Sequence, residues 1–90
     1  MSWTNSYSLE QTGDFFKRVR KEKGYTQQQF AERLGVSHAT LSALENGGSV
    51  STKTFEKAWQ RLGLRLVLVP KSAMVRVTEE GQEGYDPYGW

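Results

Sequence analysis

The segment from residue 26 to residue 47 constrains the fold of this chain more than any other. Thr26 and Ser37 are typical helix N-caps, since a hydroxyl oxygen accepts a hydrogen bond from an otherwise unpaired backbone N–H. Gln29, three residues after Thr26, completes a capping box. Gly35 suits a helix end that needs a positive φ angle. The pattern predicts a helix, a tight turn and a second helix.

The side chains of this segment divide into packing positions and outward-facing positions. Ala31 is small where two helices would cross closely, and Leu41 would pack the second helix against the first. A helix-turn-helix that binds DNA needs this arrangement, because its second helix enters the major groove. The alternative is a pair of helices that packs in the core and has no DNA-binding role. The outward-facing residues of the second helix are His38, Ala39, Thr40, Ser42 and Ala43.

Helical signals also flank this segment. Ser8 can cap a helix from about residue 9 to residue 23, and Gly13 within it predicts the close approach of another helix. A last helix starts at Ser51 or Thr52 and ends near Leu62. We therefore predict a mainly α, four- to five-helix domain over residues 8–63, after a flexible N-terminus at residues 1–7. The predicted inner stripe of the first helix is Leu9, Thr12, Phe16 and Val19, and the place of Phe15 in it is left open.

Residues 64–78 differ in composition from the helical segments before them. They form short apolar runs on either side of Pro70. They predict a β-strand, whose backbone groups need a partner. A hairpin with residues 73–78 is one solution, and pairing with the same strand of a second subunit is the other. We favour the dimer, because both faces of the strand are apolar. The residues assigned to dimerisation are Leu64, Leu66, Val67, Leu68 and Val69.

Composition excludes several classes of function. Ninety residues make one small domain, and a chain without cysteine and with one histidine offers no disulfide and no usual zinc site. We expect no cofactor, no metal and no enzymatic activity. No apolar run is long enough to span a bilayer, and the N-terminus lacks the regions of a signal peptide. A cytoplasmic protein without membrane association is the expectation.

Charge is distributed unevenly along the chain. Residues 1–78 hold all 12 lysines and arginines and six acids, whereas residues 79–90 hold four acids and no base. A basic body suits phosphates, although an ordinary solvated surface explains it equally well. The acidic tail carries Tyr85, Tyr88 and Trp90, which on a flexible segment are typical of a docking motif for a protein partner. The alternative is a frayed end.

Residues 8–63 resemble the phage-repressor helix-turn-helix family, also known as the Cro/CI or XRE family. The resemblance includes Gly13…Phe16-Lys17…Arg20…Gly24 before the motif, and Thr26-Gln27…Ala31…Gly35…Leu41…Glu45-Asn46-Gly47 within it. It implies that Arg20 at the end of the first helix pairs with Glu45 at the end of the third. That pair, with Ala31 and Gly35, would have a structural role.

Within that family, the order of elements is similar to HipB-type antitoxins, which are dimers with a shared strand and a tail ending in tryptophan. The resemblance implies a HipA-like kinase toxin as a partner, bound through Tyr85, Tyr88 and Trp90, and repression of the shared operon. A stand-alone prophage or restriction-modification regulator is the alternative.

The resemblance also implies a homodimer on a palindromic operator in double-stranded DNA. His38 could donate to a guanine edge, and Ala39 or the Thr40 methyl could touch a thymine methyl. No arginine or glutamine lies at the exposed positions of this helix, so few side chains can make two hydrogen bonds to one base. Recognition of DNA shape would therefore account for more of the sequence specificity. Gln27 is assigned near the DNA backbone or the first base. The residues assigned to face the bases are Ser37, His38, Ala39 and Thr40, with Ala43 behind them, and the candidate phosphate contacts are Asn46, Lys17 and Lys53.

Overall fold

The computed structural model describes residues 3–75, and within that range the chain has four α-helices and no β-strand. The mainly helical prediction is confirmed, and each helix starts and ends within a residue or two of its predicted bounds. The helices are α1 (Leu9–Glu22), α2 (Gln27–Leu34), α3 (His38–Glu45) and α4 (Thr52–Arg61).

A hydroxyl cap starts every one of these helices. In each case the side-chain oxygen of the residue before the helix accepts a hydrogen bond from the backbone N–H three residues later. The Thr26 cap is reciprocal, because Gln29 Oε1 also accepts from the Thr26 N–H at 2.9 Å. The capping residues are Ser8, Thr26, Ser37 and Ser51.

The core lies between α1, α2 and α3, with α4 closing it against α2. Leu41 at the centre is fully inaccessible to solvent, and the rings of Phe16 and Phe55 meet at 5.5 Å between centroids. The buried apolar residues are Phe15, Phe16, Val19, Phe30, Ala31, Leu34, Leu41, Leu44, Ala58 and Leu62. Each helix therefore contributes its apolar stripe to one shared interior.

The inner stripe predicted for α1 is wrong at one position. Leu9 is 60 % exposed, whereas Phe15, whose place in the stripe the sequence left open, is buried. Leu9 lies at the rim of an open depression between α1 and the start of α4, walled by Leu44, Val50 and Phe55. It is thus on the expected face of the helix, but the first turn of α1 extends beyond the elements that would cover it.

Gly13 is the point at which α1 and α3 come closest. A Cβ atom built there would collide with the carbonyl oxygen of Leu44 and would lie 2.7 Å from that of Glu45. The close helix approach predicted from this glycine is confirmed. It brings the C-terminal end of α3 into contact with α1, near Arg20 of α1 and Glu45 of α3.

The predicted β-strand is not confirmed. Residues 64–69 have no regular structure in the single chain, and of their side chains only Leu64 packs partly against the core. Leu66 is 51 % and Leu68 88 % exposed. The Leu64 N–H donates to Trp59 O at 2.8 Å, and the backbone of residues 65–69 makes no hydrogen bond within the described part of the chain.

Some predictions concern other parts of the chain. Residues 3–7 are exposed and have no regular structure, and residues 73–75 form no strand. The rest of the predicted second strand and the tail residues Tyr85, Tyr88 and Trp90 lie outside the described residues. None of the helices between residues 3 and 75 has the length and apolar character required to cross a membrane.

Candidate nucleic-acid interface

The helix α3 is held so that one side is buried and the other is free. Leu41, Leu44 and Glu45 are buried against α1 and α2. Gly35 begins the turn that precedes α3, and its φ of 71° is in the left-handed region. The next residue, Val36, donates its N–H to Ala31 O at 3.0 Å and so closes the turn. His38 and Ala39 at the start of α3 are exposed.

Two hydroxyls predicted to face DNA are also used to build the helix. Ser37 Oγ accepts from the Thr40 N–H at 3.0 Å and donates to Thr40 Oγ1 at 2.9 Å. The Thr40 hydroxyl keeps its own hydrogen for an outside acceptor, because a hydroxyl donates and accepts. Ser37 remains exposed, yet its oxygen is committed to the cap.

Arg20 and Glu45 form the ion pair that the family resemblance implies. Arg20 Nε donates to Glu45 Oε2 at 2.6 Å, and Nη2 donates to Oε1 at 3.2 Å. The two side chains are only 5 % and 2 % exposed. Arg20 Nη1 also donates to the Tyr25 carbonyl oxygen at 2.6 Å. The guanidinium therefore fastens the end of α3 to α1 and to the loop that leads into α2.

The same carboxylate reaches the exposed face through a glutamine. Gln27 Nε2 donates to Glu45 Oε1 at 2.8 Å, and Gln27 Oε1 lies 2.7 Å from His38 Nε2. Hydrogen bonds thus run without interruption from buried Arg20 to exposed His38. Every buried side-chain nitrogen and oxygen atom of the described residues has a partner. The first residues of α2 and α3 are held together by this chain of bonds.

The remaining predicted contacts lie around this centre with fewer restraints. Ala39 is exposed, while Ala43 is half-covered by the loop after α3, where Gly48 donates its N–H to Ala43 O at 2.7 Å. Asn46 caps α3 and donates weakly to Ser42 Oγ at 3.4 Å. Of the two predicted lysines, Lys17 on α1 is half-buried and Lys53 in the first turn of α4 is exposed.

Two features of this site had no signal in the sequence. The Tyr25 carbonyl oxygen, which completes the bonding of Arg20, is a main-chain atom that any residue would supply. The link from Gln27 to His38 joins residues 11 apart on different helices, so only the packed structure reveals it. Between residues 3 and 75, no group of histidine, aspartate and glutamate side chains could hold a metal ion.

The arrangement of a capped α2, a glycine turn and a capped α3 with a free outer side defines a helix-turn-helix protein. A helix-turn-helix family model matches residues 16–69, more than half of the chain. The chain belongs to the helix-turn-helix family and, within it, is a member of the HipB antitoxins, as its relatives show.

One such relative is the antitoxin HipB of Escherichia coli K12, which is 37 % identical over 82 residues, or 89 % of this chain and 93 % of HipB. The ImmF control region 10 kDa protein of Bacillus phage phi105 is 40 % identical over 75 residues, 82 % of this chain and 80 % of that protein.

Solved structures of HipB have the same fold. The HipB chain of the HipA-HipB-O2-O3 complex superposes with a TM-score of 0.67 at 33 % identity, covering 77 % of this chain and 99 % of that one. That of the HipB-O4 20mer complex gives a TM-score of 0.68 at 33 % identity, with 77 % and 99 % covered.

Proposed function

We propose that this protein is the DNA-binding antitoxin of a toxin–antitoxin pair, which represses its own operon as a dimer and neutralises a HipA-like kinase. One observation carries the proposal. The likeness to HipB extends over 93 % of that relative, and therefore includes residues on both sides of the helix-turn-helix as well as the motif itself. The proposal has three parts, which concern DNA, the second subunit and the toxin, and each is tested separately.

The DNA part assigns the outer side of α3 to the major groove of an operator. Support comes from the exposure of His38 and Ala39 at the start of a helix whose other side is buried. Gln27, Ser37, Thr40 and Ala43 would lie near the bases. Asn46, Lys17 and Lys53 would meet phosphates, whose negative charge attracts lysine.

An added negative charge tests this assignment. Ala39→Glu should abolish binding to a duplex from upstream of the protein's own gene, because the new carboxylate would meet phosphates and base acceptors. Gln60→Glu, which adds the same charge on exposed α4, is the matched control and should bind nearly as wild type. Gel-shift titrations measure both. Equal affinity of the two variants would contradict the placement of α3.

The dimer part assigns residues 64–69 to a strand that is completed by a second copy. A two-stranded pairing would satisfy the backbone and cover the exposed Leu66, Val67, Leu68 and Val69, with Leu64 continuing into the core. Two α3 helices would then reach half-sites about 34–36 Å apart, one turn of DNA.

A double variant in this segment tests the dimer. Leu66→Asp with Leu68→Asp should give a monomer in sedimentation, with helical content retained, because both side chains lie outside the core of the single chain. Operator binding should weaken together with dimerisation. Arg65→Ser, at an exposed position in the same segment, is the control. A wild type that sediments as a monomer would favour the hairpin with residues 73–78 instead.

The toxin part assigns the acidic tail and its residues Tyr85, Tyr88 and Trp90 to the kinase. Removal of residues 79–90 should leave operator affinity unchanged and weaken the capture of the kinase, measured by titration calorimetry with the toxin encoded beside this gene. Undiminished capture by the shortened chain would contradict this part without affecting the other two.

A stand-alone regulator is the second candidate, and one observation favours it. The ImmF control region protein, from a phage, is as similar in sequence as HipB over a comparable length. Expression of the neighbouring gene distinguishes the two functions. An antitoxin should restore the growth of cells that express a toxic neighbour, whereas a stand-alone regulator has no such neighbour to neutralise.

A further inference from the structure

The hydrogen bonds that end at His38 determine which of its ring nitrogens carries the proton. Both oxygens of the Glu45 side chain accept hydrogen bonds from the Arg20 guanidinium, and a carboxylate only accepts hydrogen bonds. The Gln27 atom that faces it at 2.8 Å must therefore be the amide NH2 group. This orientation leaves the Gln27 carbonyl oxygen toward His38.

The carbonyl oxygen of Gln27 is in turn an acceptor only, so His38 Nε2 must donate to it across 2.7 Å. In a neutral imidazole, one nitrogen donates and the other accepts. Because Nε2 carries the hydrogen, Nδ1 carries a lone pair. Nδ1 has no partner among residues 3–75, and the His38 side chain is exposed at the first residue of α3.

We propose that neutral His38 reads DNA through Nδ1 as a hydrogen-bond acceptor, and that its base partner is the exocyclic amine of adenine or cytosine. This inference rests on the proposed DNA-binding function and specifies its chemistry. In the major groove, adenine N6 and cytosine N4 are the donors, whereas guanine offers only acceptors. It replaces the expectation that His38 donates to guanine, because the one ring hydrogen is already bonded within the protein.

Gln27 acquires a different role from the one expected for it. Both ends of its amide are bonded within the protein, one to Glu45 and the other to His38. It is a positioning residue, because it fixes the tautomer and orientation of the ring that meets the base. Arg20 acts one step further away, by keeping Glu45 an acceptor.

The first measurement needs no DNA. The chain has a single histidine, so ¹⁵N spectra of histidine-labelled protein report one imidazole. At an alkaline pH that keeps an ordinary imidazole neutral, wild type should show a protonated Nε2 and an unprotonated Nδ1. Gln27→Ala should lose part of this preference, and Gln28→Ala, on the exposed neighbour, should keep it. A protonated Nδ1 in wild type would overturn the inference.

The second measurement identifies the base. Wild type and His38→Ala are each used to select duplexes from a randomised pool at the same pH. Wild type should enrich one base pair at one position of each half-site, in which the selected base is the one with the major-groove amine, adenine in A·T or cytosine in G·C. His38→Ala should lose that preference. Replacing the selected base by its analogue without the amine should weaken wild type roughly 2- to 10-fold, the range for one hydrogen bond, and leave His38→Ala unchanged.

The other outcomes decide against the proposal in different ways. If the selected pair is G·C, weaker wild-type binding on replacing guanine by 7-deazaguanine, with no effect of removing the cytosine amine, would overturn the acceptor assignment while leaving the DNA-binding function intact. Equal preferences in wild type and His38→Ala would show that His38 reads no base. If wild type enriches no sequence at all, the proposed DNA-binding function fails, and this inference fails with it whatever the tautomer.

Discussion

The helical body of residues 8–63 and the segment of residues 64–75 place their apolar side chains in opposite surroundings. In the body, Leu41 is fully inaccessible to solvent. In the segment, Leu68 is 88 % and Met74 94 % exposed. Burial of a leucine contributes about 1.5–3 kcal/mol, which the segment does not gain in a single chain. The body buries its apolar side chains within one chain, whereas the segment leaves most of its apolar side chains exposed.

The largest expected effect comes from the ion pair inside the body. Arg20→Ala should lower the free energy of unfolding by about 3–5 kcal/mol, because it leaves the Glu45 carboxylate buried without its partner. Urea denaturation followed by circular dichroism measures this loss. Lys21→Ala, at the exposed neighbouring position, should change stability by less than about 0.5 kcal/mol. Similar losses of unfolding free energy in the two variants would mean that the Arg20–Glu45 ion pair does not stabilise the helical body.

The contrast itself is tested by one substitution made in both regions. Leu41→Ala should cost about 2–5 kcal/mol at any protein concentration, because it opens a cavity in the core. Leu68→Ala should cost less than about 0.5 kcal/mol in dilute protein, where the side chain is exposed. If a second copy covers Leu68, the melting temperature of wild type should rise with protein concentration and that of Leu68→Ala should rise less. Concentration-independent melting of wild type would remove the need for a second copy.

A smaller effect is expected where α1 meets α3. Gly13→Ala should cost about 1–3 kcal/mol, since the added methyl group would overlap backbone atoms that cannot rotate away. Asp14→Ala, on the exposed side of the same turn, is the control and should be neutral in thermal denaturation. If Gly13→Ala instead raised the melting temperature, because alanine has the higher helix propensity, then α1 and α3 would lie further apart than described.

The smallest effect concerns the start of α3. Ser37→Ala should cost about 0.5–2 kcal/mol, because the Thr40 N–H loses its acceptor. Ser49→Ala, in the exposed loop after α3, should leave the unfolding free energy unchanged. A neutral Ser37→Ala would indicate that tertiary packing alone sets where α3 begins.

The helix positions could be predicted from the sequence because their signals are local. The caps at Ser8, Thr26, Ser37 and Ser51 act on N–H groups three residues away. Burial at the start of α1 could not be predicted, because Leu9 follows the periodicity of the inner face yet is 60 % exposed at the rim of an open depression. Periodicity indicates a direction around the helix, and only the packing of other elements decides coverage.

The candidate site was predictable in position and only in part in chemistry. The sequence indicated that the start of α3 faces outward, and the family resemblance implied the Arg20–Glu45 pair. The hydrogen bonds from Gln27 to Glu45 and to His38 could not be predicted from the sequence, because they depend on how α2 and α3 are oriented relative to each other. The strand proposed at 64–69 would depend on pairing with a second chain, and the single chain has no regular structure there.

The restraints on α3 also limit how operator preference can change in the course of evolution. His38 is hydrogen-bonded to Gln27, and the Ser37 and Thr40 hydroxyls are hydrogen-bonded to each other, so replacing any of them removes a hydrogen bond within the domain as well as changing the surface. Ala39 is exposed and has no side-chain hydrogen bond. In the proposed complex with DNA, a longer side chain there would reach into the groove and would cost no hydrogen bond within the helix. Divergence between sister regulators should therefore begin at Ala39, where a new reader can be gained in one substitution.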